Sequence, residues 1–134
     1  MPALVVAVVP WMLEHDPAGV RRTLSTVYTL APELGARLDE DPPPGQPWQE
    51  MTRVELSRLG HGLCELLHSW GAAAGSPTVV FEYADRAGTA DSVLIAQLLG
   101  GLPPELVRVV VCSEHVGVPD VLARALTAFP RYHL

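Results

Sequence analysis

Apolar residues recur at helical spacing through the first part of the chain. An Asp-Pro pair at residues 16–17 is typical of a helix start, and the apolar stripe after it predicts a helix over about 17–30. That stripe consists of Val20, Leu24, Val27 and Leu30. Residues 3–9 are β-branched enough for a strand, yet their apolar positions also fit helical spacing. The pattern leaves both structures open, and helix is the one we favour.

A proline-rich acidic segment interrupts this pattern. Residues 31–38, APELGARL, predict one more short helical turn. The next stretch, DEDPPPGQP at about 39–47, contains too many prolines and acids to be anything but an exposed loop. We predict a flexible break there, within a single domain spanning residues 1–134.

The strongest amphipathic element lies between Pro47 and Ala73. Its large apolar residues gather on one side of a helical wheel, which requires a packing partner. They are Leu56, Leu59, Leu63, Leu66, Leu67 and Trp70. Gly60 and Gly62 each cost about 1 kcal/mol relative to alanine in a helix, a loss that burial of the leucine stripe can offset.

The second half of the chain predicts a βαβα unit. A strand at residues 78–83 precedes a helix in GTADSVLIAQLLGG, and VRVVVC at 107–112 follows as a strand whose unbroken apolar run suits burial on both faces. A last helix begins near residues 119–120. A strand-helix-strand crossover implies a parallel sheet, so both strands end at one edge. We therefore predict an α/β fold in which a helix-rich N-terminal half precedes a small parallel sheet. Two strands make a marginal sheet, so another is expected from residues 3–9 or from a partner.

Composition excludes several kinds of function. The net charge is -6, which provides no positive surface for nucleic acid or an anionic membrane. All nine basic residues are arginine, so a GxxxxGK[ST] phosphate loop and Schiff-base chemistry are absent from this sequence. The two cysteines lack CxxC spacing, and the apolar start lacks the basic region of a signal peptide. We expect a protein of the reducing cytoplasm.

Polar residues follow both predicted strands. Glu82, Asp85 and Arg86 come after the first, and Ser113 and His115 come after the second. Ligands bind at this edge of open parallel sheets, so these residues are candidates for a site. Every strand also needs polar residues where it reaches water, and that simpler interpretation stays open.

The stretch from Gly62 to Ser113 resembles the middle of STAND-class P-loop ATPases, the large bacterial regulators with an ATPase core and helical repeats. An amphipathic helix leads to a strand of Walker B type, followed by an acidic turn, a helix and the next strand. The resemblance implies that Glu82 takes the Mg²⁺-binding position, that Glu82 and Asp85 are the catalytic acids, and that Ser113 is the polar sensor of the γ-phosphate. Arg86 joins Glu82 and Ser113 as an expected contact of the nucleotide.

The chain departs from the family pattern at several positions. Tyr83 stands where the second acid would be, and Gly88 replaces the acid of the turn. Asp85 compensates only if the turn brings it back toward the strand tip. We therefore expect a degenerate or truncated STAND-type ATPase core that acts as a regulatory or protein-interaction module, with little or no autonomous ATP hydrolysis. Mg-ATP is the cofactor of the parent family and is not expected to bind tightly here.

Other classes of function remain as alternatives. A small metal-dependent hydrolase would use Glu82, Asp85 and His115 at the sheet edge. A plain interaction protein would recruit its missing strand from a partner or a second copy. A Ser/His/acid hydrolase lacks the GxSxG elbow that presents the nucleophile.

One further constellation lies on the long helix. His61, Cys64 and His68 project from one face at spacings that can ligate zinc, although a single helix rarely supplies a closed site. The same face is opposite the leucine stripe, so a solvated polar surface is the interpretation we favour.

Overall fold

The computed structural model describes residues 1–38, 47–114 and 117–127, and these ranges contain six α-helices and two β-strands. In chain order they are α1 (Pro2–His15), α2 (Pro17–Arg21), α3 (Leu24–Leu30), α4 (Arg53–Ala74), β1 (Thr78–Phe81), α5 (Thr89–Gly101), β2 (Arg108–Val111) and α6 (Asp120–Leu126). Short 3-10 helices cover Pro32–Leu38, Trp48–Glu50 and Ala84–Arg86. The predicted α/β class, with a helix-rich N-terminal half and a small parallel sheet, is confirmed. No helix of the described ranges has the length and apolar character needed to cross a membrane.

The N-terminal segment is helical, and its second helix is broken. Residues 3–9 belong to α1, as favoured from the sequence. The continuous helix predicted over 17–30 is wrong, because the chain divides into α2 and α3 at Thr23. The Thr23 hydroxyl donates to the carbonyl oxygens of Gly19 and Val20 at 3.1 and 3.3 Å, and Thr23 itself has φ -122° and ψ 23°. Back-bonding of this kind competes with the regular helix.

The long helix α4 is bounded by clear caps. The Glu55 N–H donates to the Thr52 hydroxyl, and the Thr52 N–H donates to the Glu55 carboxylate, which together form a capping box. The helix ends at Gly75, whose left-handed φ of 76° suits glycine. Its start lies later than the predicted residue 47, because Trp48–Glu50 form a separate turn. Residues 39–46 of the predicted loop lie outside the described ranges.

Glycines let other elements approach α4 closely. The predicted leucine stripe is buried, and α4 packs chiefly against α5 while also contacting α1, α2 and α3. Gly60 lies against Gln97 of α5, and Gly62 lies against the Thr26 hydroxyl of α3. A Cβ added to Gly71 would lie 2.5 Å from the Leu106 carbonyl oxygen and 2.7 Å from a Val107 methyl group. The glycines that weaken α4 in isolation therefore permit its tertiary packing.

The two strands form a parallel pair joined by the crossover helix α5. Phe81 lies opposite Val111, and Val80 lies opposite Val110. Val79, Phe81, Val109 and Val111 contact the helical core, whereas Val80 and Val110 on the other face are 52% and 36% exposed. The prediction that the second strand is buried on both faces is wrong, because the described helices cover one face of the sheet. We call the uncovered side, formed by Thr78, Val80, Arg108 and Val110, the open sheet face.

We predict that Gly71→Ala lowers the free energy of unfolding by about 2 kcal/mol, because the new methyl group meets the backbone of Leu106, which has little freedom to move. Gly100→Ala is the matched control. It lies in α5 with no atom within 4 Å of the added Cβ, so it should gain up to about 1 kcal/mol in helix propensity. Urea denaturation of both variants checks this. Equal stabilities would contradict the tight contact at Gly71.

Candidate functional site

The tips of the two strands are tied together by backbone hydrogen bonds. Strand β1 ends at Phe81, two residues earlier than predicted. The Cys112 N–H donates to the Phe81 carbonyl oxygen at 2.8 Å, and the Ala84 N–H donates to the Cys112 carbonyl oxygen at 2.9 Å. Glu82 therefore leaves β1 beside the segment that carries Ser113, and both residues are exposed.

Tyr83 explains why β1 stops. Its φ of 57° and ψ of 42° place a non-glycine residue in the left-handed region, which reverses the chain into the Ala84–Arg86 turn. This conformation is uncommon for a bulky side chain and costs energy that the surrounding contacts must offset. Asp85 therefore lies within this turn and not on a continuation of β1.

Arg86 connects the two strand tips across the surface. Its guanidinium carbon lies 5.2 Å from the centre of the Tyr83 ring, and one of its nitrogens lies 3.5 Å from a Glu114 carboxylate oxygen. The Arg86 and Glu114 side chains are both exposed, so this ion pair contributes little to stability. Glu82 is a further exposed carboxylate, at the end of β1.

Asp85 differs from its neighbours because part of its carboxylate is buried. Its Oδ1 atom is shielded from solvent and has no hydrogen-bond partner among the described residues. A buried acceptor without a donor costs about 1–3 kcal/mol. The turn thus holds one oxygen of the second predicted catalytic acid away from the water that such an acid would activate.

The metal-dependent hydrolase alternative requires several metal-binding side chains that lie close together. No group of three or more His, Cys, Asp or Glu side chains there is placed to hold a metal ion. His115, which the hydrolase alternative requires, lies outside the described ranges.

The face of α4 that carries His61, Cys64 and His68 lines a shallow cavity of about 290 Å³ beside α5. Both histidines are exposed to solvent, as expected, whereas Cys64 is half-buried on the side of α4 that faces α5. Its Sγ donates to the Gln97 carbonyl oxygen at 3.7 Å, and burial raises its pKa from 9.0 to about 11. Because zinc binds the thiolate, this environment disfavours Cys64 as a ligand.

Sequence reasoning missed the open sheet face. TVVF and RVVV each carry a valine, Val80 or Val110, at an exposed position between two apolar neighbours, so neither segment shows the full alternation typical of a half-buried strand. The only signals were the polar residues Thr78 and Arg108, which are exposed at the first position of each strand.

In comparisons with known proteins the chain matches no family model, and it matches no curated protein and no solved structure. The kinship with STAND-class ATPases therefore stays a prediction from the sequence.

We predict that Asp85→Ala raises the free energy of unfolding by about 1 kcal/mol, because it removes the carboxylate oxygen that is buried without a donor. Glu82→Ala is the control: its side chain is exposed, so the change should stay within about 0.5 kcal/mol. Thermal and urea denaturation measure both. A clear loss of stability in Asp85→Ala would mean that this carboxylate has a stabilising partner.

We predict that Cys64 alkylates at least tenfold more slowly than the exposed Cys112 at pH 8, because a pKa raised by two units lowers the thiolate fraction roughly 100-fold. Iodoacetamide labelling of Cys64→Ser and Cys112→Ser, followed by mass spectrometry, compares the two thiols. Equal labelling rates would contradict the buried position of Cys64.

The raised pKa of Cys64 also makes the stability of the fold depend on pH. Since the folded-state pKa is the higher one, the thiol's contribution to stability is present below pH 9.0 and is lost as the pH rises toward about 11.

Proposed function

We propose that the chain is a degenerate or truncated STAND-type ATPase core that serves as a regulatory or protein-interaction module and does not hydrolyse ATP on its own. The parallel pairing of β1 with β2 supports this proposal, because it puts Glu82 beside the segment of Ser113. This neighbourhood of strand tips is what the sequence resemblance requires.

The chemistry at the strand tips favours loss of catalysis. Phosphoryl transfer depends mainly on positioning the phosphates and on stabilising their charge. The sequence contains no lysine for a phosphate loop, and Tyr83 replaces the second acid. One oxygen of Asp85 is buried, and Arg86 is paired with Glu114 at the surface. Of the two acids that the resemblance assigns to the site, only Glu82 is fully open to solvent, and a single carboxylate binds Mg²⁺ weakly.

The open sheet face is the observation that carries the interaction role. Parallel sheets are ordinarily covered by helices on both faces. Here Val80 and Val110 remain exposed side by side, and neither strand has a second pairing partner among the described residues. An exposed apolar centre on a sheet is covered by another polypeptide more readily than by a small molecule, because small molecules bind in concave pockets.

We predict that isothermal titration calorimetry detects no Mg-ATP binding tighter than about 1 mM, since the sequence has no phosphate-loop lysine, one oxygen of Asp85 is buried and Arg86 is paired with Glu114. Glu82→Ala should give the same flat titration as the unmodified chain. Micromolar affinity that disappears in Glu82→Ala would overturn the proposal, because it would show a working nucleotide site centred on this carboxylate.

A further inference from the structure

The outer edge of β2 carries backbone groups that have no pairing partner among the described residues. The N–H groups of Arg108 and Cys112 donate to carbonyl oxygens on the β1 side of the sheet, at 3.0 and 2.8 Å. Successive residues of a strand alternate in direction, so the N–H and C=O groups of Val109 and Val111 point away from β1. The sheet of the described ranges ends at β2, which leaves these four groups free to bind an extended backbone.

The side chains along this edge are less covered than those of β1. Val79 of β1 is 6% exposed, whereas Val109 and Val111, which face the same helical layer, are only half-buried. Leu126 of α6 is half-buried as well, and it packs with Val111 against the smaller of the two apolar clusters. Apolar surface at the junction of β2 and α6 is therefore open to solvent.

The helical layer extends past β2. Helix α5 packs against both α4 and α6, and no comparable packing joins α4 to α6, so α5 lies between them. Since the chain passes from α4 into β1 and from β2 into α6, α6 lies on the β2 side of α5. Packed helices are about 8–10 Å apart and paired strands about 4.8 Å apart, so three helices are wider than two strands. Helix α6 therefore overhangs the space beside β2, where one more strand would lie.

A second copy of the chain does not fit this space in a symmetric pair. Pairing β2 with the β2 strand of another copy about a two-fold axis keeps both helical layers on the same face of one continuous sheet. The axis then lies about 2.4 Å outside β2, half the spacing between strands, which places α6 of one copy where α5 of the other stands. A separate extended segment brings no helical layer with it, so it avoids this collision.

We propose that the outer edge of β2 binds an extended peptide segment of another protein, which adds a third strand to the sheet beneath α6. Strand addition at a sheet edge is a recurring mode of peptide recognition, and antiparallel pairing is the more stable per residue. The expected ligand has apolar residues opposite Val109 and Val111 and an acid opposite Arg108. Arg108 is exposed and makes no ion pair within the described residues, so this acid would meet an available charge. The inference deepens the proposed interaction role and rests on it.

Amide hydrogen exchange of the chain alone, measured by NMR, tests whether the edge is free. The amides of Val109 and Val111 should exchange at least tenfold faster than those of Val110 and Cys112, whose N–H groups point to β1. The four amides are consecutive in sequence, so each fast amide has a slow neighbour as its control. Equal protection of all four would overturn the proposal, because it would show an edge that is already paired.

A capped peptide of sequence TVVFE is the binding probe, because it copies Thr78–Glu82 and has the required pattern. Antiparallel to β2, it sets its glutamate beside Arg108 and its phenylalanine and first valine opposite Val109 and Val111. Binding at a Kd of about 1 mM should shift the amide signals of Val109 and Val111. Arg108→Glu should weaken binding several-fold, and a TVVFR peptide should restore it.

Two proline-containing peptides test the hydrogen-bond pattern. TPVFE lacks the N–H that would donate to the Val111 carbonyl oxygen, so it should bind at least tenfold more weakly than TVVFE. TVPFE is the matched control, because the N–H that it lacks points away from β2, and it should bind within threefold of TVVFE. A TVVFE peptide that shifts no β2 amide at about 10 mM, or equal binding of the two proline peptides, overturns the proposal.

The same samples separate this inference from the proposed function. A chain that binds neither TVVFE nor Mg-ATP would remove the strand addition while leaving the proposed loss of ATPase activity untouched. Micromolar affinity for Mg-ATP would instead overturn the proposed function, and with it the interaction role on which this inference rests.

Discussion

The close packing of α4 against its neighbours is the interaction on which the rest of the structure depends. Its leucines form the centre of the core, and its glycines admit Gln97 of α5, Thr26 of α3 and the backbone before β2. These contacts fix the distance between α4 and the segment that enters β2. Because β1 follows the end of α4 after a short turn at Gly75, the contacts of α4 also bring the two strands into register.

The two faces of the sheet differ because of this arrangement. The helices that precede and connect the strands cover one face, and no element of the described residues covers the other. The strand tips carry the charged groups that the ATPase resemblance draws attention to, but they lie at the surface and partly neutralise one another. The exposed apolar area lies on the face of the sheet and on α1. The charged groups at the strand tips and the exposed apolar residues therefore lie on separate parts of the molecule.

Much of the fold could be predicted from local patterns, and the exceptions have identifiable causes. The spacing of apolar residues and the turn residues encode the helix α4 and the βαβ order, so both could be predicted from the sequence. The break at Thr23 depends on hydrogen bonds from the Thr23 hydroxyl to nearby backbone carbonyl groups. The spacing of apolar residues does not predict such bonds. The end of β1 depends on Tyr83 adopting a left-handed conformation that its residue type disfavours. Val80 and Val110 are exposed because no described element packs against that face of the sheet, and a local sequence pattern does not predict such packing.

The brevity of the two strands has a consequence for how the protein behaves at high concentration. An exposed sheet edge is a template for uncontrolled strand addition, which leads to fibrils when the edge is long, flat and uncharged. Here each strand has only four residues, with an arginine at one start and glutamates just past both ends. Such edges discourage amyloid-like growth, so the exposure of Val80 and Val110 carries a smaller risk of aggregation than it would on long strands.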